Sequence, residues 1–366
     1  MLIRMPDYAE SFRCLAGGCP HSCCIGWEVV LDPDTVARYE AAEGELGEKL
    51  RASMQTDGEG DVCFPLRGGR CPFLDGENLC EIHRTLGQEA TSITCREHPR
   101  FIEDYGPFRE ITFSASCPEA NRLLLSSTAP LTFTEWEDDE SLTGTPQQLS
   151  EAGAVGRGGA RERAEFLPQA ETEESGLCDD EGDEWLPLLL PLRQRMLELL
   201  ADRGRPVKER LGEFLRLARA AQYLLDEEKE ERLPELAERW KQGQADVTDW
   251  DLFPAALRLL AGLEVLEPDW RDVLAQAETA EPAAVPEELL ERIAVYFAFR
   301  YLLKTVNDGD LLSRAQLCVF AVLAVERIAG VCGLSEALRR FSREVEHNEE
   351  NVEVLLETFR WGDGAL

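Results

Sequence analysis

The sequence predicts a mostly α protein in which an irregular, cysteine-rich metal-binding module is followed by an all-α helical domain. Three observations carry that reading. Nine of the twelve cysteines fall between Cys14 and Cys117. From about residue 185 onward, apolar residues recur at the i, i+3/i+4 spacing of amphipathic helices. Between these regions, residues 131–186 hold 16 acidic against 3 basic residues and few apolar ones, the composition of a linker. The 366-residue chain therefore divides into a module over 1–130, an acidic linker over 131–184, disordered or loosely packed, and a helical domain over 185–366.

In the first segment, Glu28–Leu31 and Arg109–Phe113 read as short strands, and no long amphipathic helix is visible. Loops pinned by a metal account for so much irregular sequence. The linker contains Gly153-Ala-Val-Gly-Arg-Gly-Gly159, which superficially resembles a phosphate loop but follows no predicted strand and reads as linker. In the last segment, Leu188, Leu189, Leu192, Met196, Leu199 and Leu200 form one apolar stripe. Leu211, Phe214, Leu215, Ala218, Ala221, Leu224 and Leu225 form another. Further helices fit 232–242, 253–266, 287–305, 311–330, 334–346 and 349–360, punctuated by Gly204, Pro206, Pro254, Pro268, Pro286, Gly309 and Gly333. No GxGxxG motif follows a strand, so a doubly wound nucleotide-binding fold is not expected.

The net charge is −33, from 38 basic and 71 acidic residues. Lys and Arg neutralise the phosphates of nucleic acids and the headgroups of anionic membranes, so neither is an expected partner. The segment beginning Met1-Leu-Ile-Arg-Met-Pro6 lacks the apolar stretch of a secretory signal. The most apolar later stretches are Ile293–Leu303, broken by Arg300, and Leu317–Val331, broken by Glu326 and Arg327. Both fall short of the ~20 uninterrupted residues of a bilayer span. A cytoplasmic protein is expected, and in that reducing compartment twelve thiols read as ligands or catalysts rather than disulfides.

The spacing is Cys14-x4-Cys19-x3-Cys23-Cys24, then Cys63, Cys71, Cys80, Cys95 and Cys117. Thiolates are soft ligands that suit iron–sulfur clusters or zinc. Four of them satisfy one tetrahedral Zn or one [4Fe–4S] cluster, so one centre or two can be built. The expected ligands are Cys14, Cys19, Cys23, Cys24, Cys71, Cys80, Cys95 and Cys117, with His83 and His98 as possible nitrogen donors. CxxC pairs, the commoner zinc hallmark, are missing. Cys23-Cys24 cannot both ligate one Zn without a strained turn, which favours a cluster. A CxxxCxxC radical-enzyme motif is absent; Cys19-x3-Cys23 matches only its first step.

At these residues the chain resembles the flagellin lysine N-methylase family, whose front part belongs to a wider group of cysteine-rich, zinc- or iron-chelating proteins. The matching blocks are Tyr8-x3-Phe12-x-Cys14-x4-Cys19-x3-Cys23-Cys24-x-Gly26-Trp27, then Cys71-Pro-Phe-Leu74 with Leu79-Cys80-x-Ile82. Cys95-x2-His98-Pro99-Arg100 and Ser116-Cys117-Pro118-Glu119-Ala120 follow. Far away lie Tyr296-Phe-x-Phe-Arg300-Tyr-Leu-Leu-Lys304 with Asp308-Gly-Asp310, and Ser342-x-Glu344-x-Glu346-His347-x2-Glu350-Asn351. His98 departs from the pattern, which has Tyr before Pro-Arg. The resemblance implies a metal centre, [4Fe–4S] with Zn as the alternative, and methyl transfer from S-adenosylmethionine to lysines of flagellin or another surface protein.

Lysine amines sit near pKa 10.4, so a methylase must remove a proton and align the lone pair with the methyl. Carboxylates and tyrosine hydroxyls can orient the amine. Tyr296, Arg300, Tyr301, Asp308 and Asp310 form the candidate catalytic set, Tyr296 and Arg300 sharing a helix face. The competing structural reading makes Asp308 and Asp310 caps of the next helix and the tyrosines core. Glu346-His347 reads as surface near a helix end. Two other functions stay open: a non-catalytic metal-handling or interaction protein, and a redox enzyme.

Overall fold

Ile3 and Met5 alternate with Arg4 and Pro6, and only a strand buries such a pair on one side. The computed structural model describes residues 1–58, 60–137, 180–243, 253–281 and 283–361. Most of the acidic linker, with Gly153–Gly159, lies outside the described residues.

Seven strands occur among those residues: β1 (Leu2–Pro6), β2 (Val29–Val30), β3 (Gln55–Thr56), β4 (Val62–Phe64), β5 (Arg100–Asp104), β6 (Phe108–Phe113) and β7 (Phe133–Glu137). They form a four-stranded sheet of order β5-β6-β1-β7 and a small antiparallel one of order β2-β4-β3. β1 pairs parallel with β6 and antiparallel with β7. Phe133–Glu137, inside the range expected to be linker, is thus a sheet edge, and Phe133 stacks on Phe299 with ring centroids 3.7 Å apart.

The front region also holds short helices: α1 (Pro33–Ala41), α2 (Gly44–Ser53), α3 (Glu81–Leu86), α4 (Ile93–Glu97) and α5 (Pro118–Leu125). α1 starts where Asp32 accepts from the Thr35 backbone N–H, with Pro33 at the first turn. The second half follows the apolar stripes: α6 (Asp180–Ala201), α7 (Val207–Asp226), α8 (Leu233–Arg239), α9 (Phe253–Gly262) and α10 (Trp270–Thr279). Then come α11 (Glu287–Tyr301), α12 (Leu311–Cys332), α13 (Leu334–Phe341) and α14 (Glu349–Trp361). Among these, α10 was not expected, although Trp270, Val273, Leu274 and Ala277 give it a buried face. α6 begins at Asp180, inside the range expected to be linker.

Two continuations differ from a plain helix. α11 runs on as a 3₁₀ segment, Leu302–Asn307, and α13 ends in a π-helical turn, Ser342–Glu346. α12 is long and apolar enough to cross a bilayer by length and composition, but 78% of its most apolar window is buried inside the fold. Its apolar surface is met by α7, α11, α13 and α14 around it.

The cores do not divide the chain at residue 130. Ile3, Met5, Tyr8, Phe12, Ile111 and Phe113 share one continuous core with α6–α14. A separate small core holds Val29, Leu31, Tyr39, Leu50, Phe64, Cys71, Phe73 and Ile82. The sheet is therefore fastened to the helices. Arg193 of α6 makes a buried bidentate pair with Glu110 of β6, both bonds 2.6 Å. Arg292 of α11 donates to the carbonyls of Leu124 and Ala129.

Candidate functional site

The eleven cysteines among the described residues, the eight expected ligands included, are all free. Backbone bonds draw three of them together. The Cys71 N–H donates to the Cys24 carbonyl at 2.9 Å, and Leu74 forms a bridge with Cys80. Cys80 and Cys117 stand at the N-caps of α3 and α5, where the first backbone N–H groups of each helix favour a thiolate.

Burial, then neighbouring thiols, pushes Cys71 up to about 11 and Cys95 up to about 12. Cys24 goes the other way, to about 7, through hydrogen bonds from Cys23 and Ser22 and the charge of Arg70. Uncompensated, so many buried thiols cannot ionise together; a bound cation removes that cost. The donor set fits a thiophilic metal in chemistry. Among the described residues, no three His, Cys, Asp or Glu side chains stand close enough as placed to hold an ion. Cys63, outside the expected set, donates to Glu28 instead. Cys318 is buried in α12, away from the others.

The catalytic candidates separate into two groups. Tyr296, Arg300 and Tyr301 converge on Glu346 at the end of the π turn. The Tyr296 hydroxyl donates to both carboxylate oxygens at 3.0 and 3.1 Å, and Tyr301 reaches one at 3.5 Å. Arg300 Nε lies 2.9 Å from Glu346 Oε1, close enough for an ion pair but poorly aligned, and Nη1 finds no acceptor. Its guanidinium covers the Phe101 ring at 3.2 Å. Burial raises the Glu346 pKa, opposed by Arg300 and by hydrogen bonds from Ser342 and Tyr296.

Asp308 and Asp310 do not join them. Asp310 caps α12 by accepting from Ser313 N–H, and Arg360 pairs with it at 2.6 Å. Asp308 holds Arg314 through bonds of 2.6 and 3.0 Å. For Asp310 the fold realises the capping reading, because a helix start needs acceptors for its free N–H groups.

Glu346 and His347, read from sequence as surface, are central. Glu346 is 5% exposed. His347 Nε2 lies 2.7 Å from Ser114 Oγ and 2.9 Å from Ser116 Oγ, one residue before Cys117. Its ring stacks on Trp27 at 5.0 Å and meets Phe101 and His98 at 5.2 and 5.8 Å. Burial and nearby positive charge lower His347 to about 3 and His98 to about 4, so both rings stay neutral near pH 7. His98 thus packs at this seam rather than among the thiols. Arg343, also on the π turn, donates to the Ile25 carbonyl at 2.8 Å and covers Trp27. Gly26, at φ +93°, holds a backbone conformation that favours glycine, and a Cβ there would displace the Arg343 guanidinium. The signal that could have found this group is the Ser342–Asn351 block, charged yet spaced to place Glu346 and His347 together beyond a π turn, a feature common at functional sites.

Comparison with known proteins now adds to the geometry. Residues 193–363 match the family profile described as "FliB lysine N-methylase C-terminal domain". Residues 13–118 match CxxCxxCC, the "Putative zinc- or iron-chelating domain". The lysine-N-methylase of Salmonella typhimurium is 29% identical over 136 residues, covering 36% of this chain and 34% of that protein. The chain thus spans about a third of the length of that curated relative. The flagellar biosynthetic protein FliU of Salmonella muenchen is 30% identical over 127 residues, 33% of this chain and 75% of FliU. No solved structure matches. With both profiles in one chain and three quarters of FliU covered, this chain belongs to the FliB/FliU lysine-N-methylase family.

Proposed function

We propose that the chain is a protein lysine N-methyltransferase that moves a methyl group from S-adenosylmethionine to lysines of flagellin or another surface protein, and that its thiols hold an iron–sulfur centre. One observation carries this reading: the two matched regions meet around His347. His347 of the FliB region packs there against Trp27, His98, Ser114 and Ser116 of the chelating region, and its neighbour Glu346 gathers Tyr296, Arg300 and Tyr301. The lysine-N-methylase relative supplies the reaction class by its name, and FliU the flagellar connection.

A lysine amine, near pKa 10.4 in water, must lose a proton before it can attack a methyl group. The buried Glu346 carboxylate, its pKa raised, holds a proton better than an ordinary carboxylate. Tyr296 and Tyr301 fix its orientation, and Arg300 balances its charge. His347 stays neutral and offers a hydrogen-bonding group anchored by the two serines. S-adenosylmethionine, when bound, supplies the methyl group. The thiols of the front region would hold the metal beside this seam. The net charge of −33 draws lysine-bearing partners over long range. A reducing cytoplasm suits the free thiols.

The test is intact-mass analysis of flagellin incubated with the purified chain and S-adenosylmethionine. Methyl additions on lysines are expected, falling about a hundredfold or more in Glu346→Gln, the scale of lost proton-transfer assistance. Calorimetry finding no S-adenosylmethionine binding, with no methylation, would sink the methylase. A purified chain carrying zinc and no iron or sulfide would overturn the iron–sulfur part. A second reading, a non-catalytic metal-binding interaction module, is favoured by how Tyr296 and Tyr301 already occupy the Glu346 carboxylate. Absent donor binding would select it.

A further inference from the structure

We propose that the outer edge of β5 is the docking strip for the protein substrate, which adds an extended, lysine-bearing segment to the sheet as a further strand. This deepens the methylase reading above and rests on it.

β5 is an edge of the four-stranded sheet, with β6 on one side and, among the described residues, no strand on the other. Its pairing with β6 fixes which backbone groups are used. Ser114 N–H donates to Pro99 O at 2.7 Å and Tyr105 N–H to Phe108 O at 3.0 Å, so Pro99 and Tyr105 face β6. Facing residues alternate along an antiparallel ladder, so Phe101 and Glu103 bond β6 opposite Thr112 and Glu110. The N–H and C=O groups of Arg100, Ile102 and Asp104 therefore point outward, in the row with which a new strand pairs.

Side chains leave this row open. Ile102, at its centre, is 36% exposed, an apolar residue where a sheet edge is ordinarily guarded by charge. The opposite edge, β7, is guarded in that way, with Glu135 and Glu137 exposed along it. Main-chain recognition of an extended peptide uses what β5 offers: outward backbone groups with an apolar contact between them.

The strip also leads to the candidate site. Side chains alternate across a strand, so Phe101 and Glu103 stand on one face. Phe101 meets the His347 ring at 5.2 Å and lies beneath the Arg300 guanidinium at 3.2 Å. Glu103 pairs with Lys304 on the 3₁₀ continuation of α11. An added strand keeps the pleat of the sheet, so every second side chain it carries stands beside Phe101 or Glu103. A lysine in that phase is on the face of Arg300 and His347, and one in the other phase is on the face of Ile102. Glu103 already holds one ammonium group, that of Lys304, which marks this face as one that accepts lysine side chains. The net charge of −33 favours a basic segment over an acidic one.

The experiment uses the full chain with flagellin as the probe and reads hydrogen exchange and steady-state methyl transfer. Flagellin is expected to slow exchange over residues 100–104. Ile102→Pro removes one outward N–H and leaves the bonds to β6, a place where an edge strand tolerates proline. It should raise KM for flagellin about tenfold, the scale of one lost hydrogen bond, while kcat and the melting temperature stay. If Ile102→Pro does not fold, Ile102→Lys takes its place, because it repels a lysine-bearing strand yet keeps every backbone group; the same rise in KM is expected. Exchange over 100–104 that flagellin leaves unchanged, or a KM that the substitution does not move, would overturn the docking strip, and methyl transfer persisting there would leave the methylase reading standing. Slowed exchange over 100–104 without any methyl transfer would overturn the methylase reading and keep the strip. Flagellin that neither slows exchange nor gains methyl groups would overturn both.

Discussion

The two cores of this molecule are built in opposite ways. The large core holds the apolar stripes of the helices and the sheet, and its stability is a matter of packed apolar area. The small core has eight buried residues, one of them Cys71, and is surrounded by thiols whose ionisation burial opposes. Apolar burial alone suffices for the first. The second needs cross-links, and the chain forms no disulfide among its described cysteines.

Metal removal should break that comparison most sharply. After chelation, hydrogen exchange is expected to lose protection across the small core while α7, α11 and α12 keep theirs, an effect of about 10 kcal/mol if the metal is structural. Equal loss of protection in both cores would mean that they are one cooperative unit. Phe214, fully buried in α7, gives the converse. Phe214→Ala should cost about 3–5 kcal/mol in denaturant unfolding and leave the metal content unchanged.

The seam between the regions is sharpened by pH. His347 and His98 have pKa values lowered by burial, so stability should be full above the free imidazole value of about 6.5. Below it the unfolded chain takes up protons that the buried rings refuse. Stability should therefore fall as pH drops from about 6.5 toward 4, and fall less in His347→Asn; urea melts at stepped pH measure this. A slope unchanged by His347→Asn would mean that the ring is not the refusing group. The smallest effect is expected at Asp310. Asp310→Ala removes the α12 cap and an Arg360 partner, costing about 1 kcal/mol, with methyl transfer unchanged.

Most of the helical half was legible in sequence, because a 3.6-residue apolar period survives whatever the helix packs against. Gly204, Pro206, Pro286, Gly309 and Gly333 fall between the helices as expected. α10 escaped because its four buried residues sit among acidic ones and close behind Pro268. The strand β7 escaped because Phe133 and Trp136 are sparse in an acidic run, and only pairing with β1 makes them a sheet edge. The site was half legible. Tyr296, Arg300 and Tyr301 were found through a block resembling the family, Tyr296 and Arg300 sharing a helix face, whereas the focus of all three, Glu346, lies 45 or more residues away.

Sequence by itself determined the residue types: thiols without CxxC pairs, helical stripes, and the separated Tyr296 and Ser342 blocks. These are local properties, set by spacing and by the chemistry of single side chains. The tertiary structure alone decided that Asp310 caps α12 while Asp308 holds Arg314, that Glu346 and His347 are buried, and that the front region abuts His347. Those outcomes depend on which elements meet. Packing across a seam, where Arg343 reaches Ile25 and His347 reaches Ser114, is a long-range property that no local period encodes.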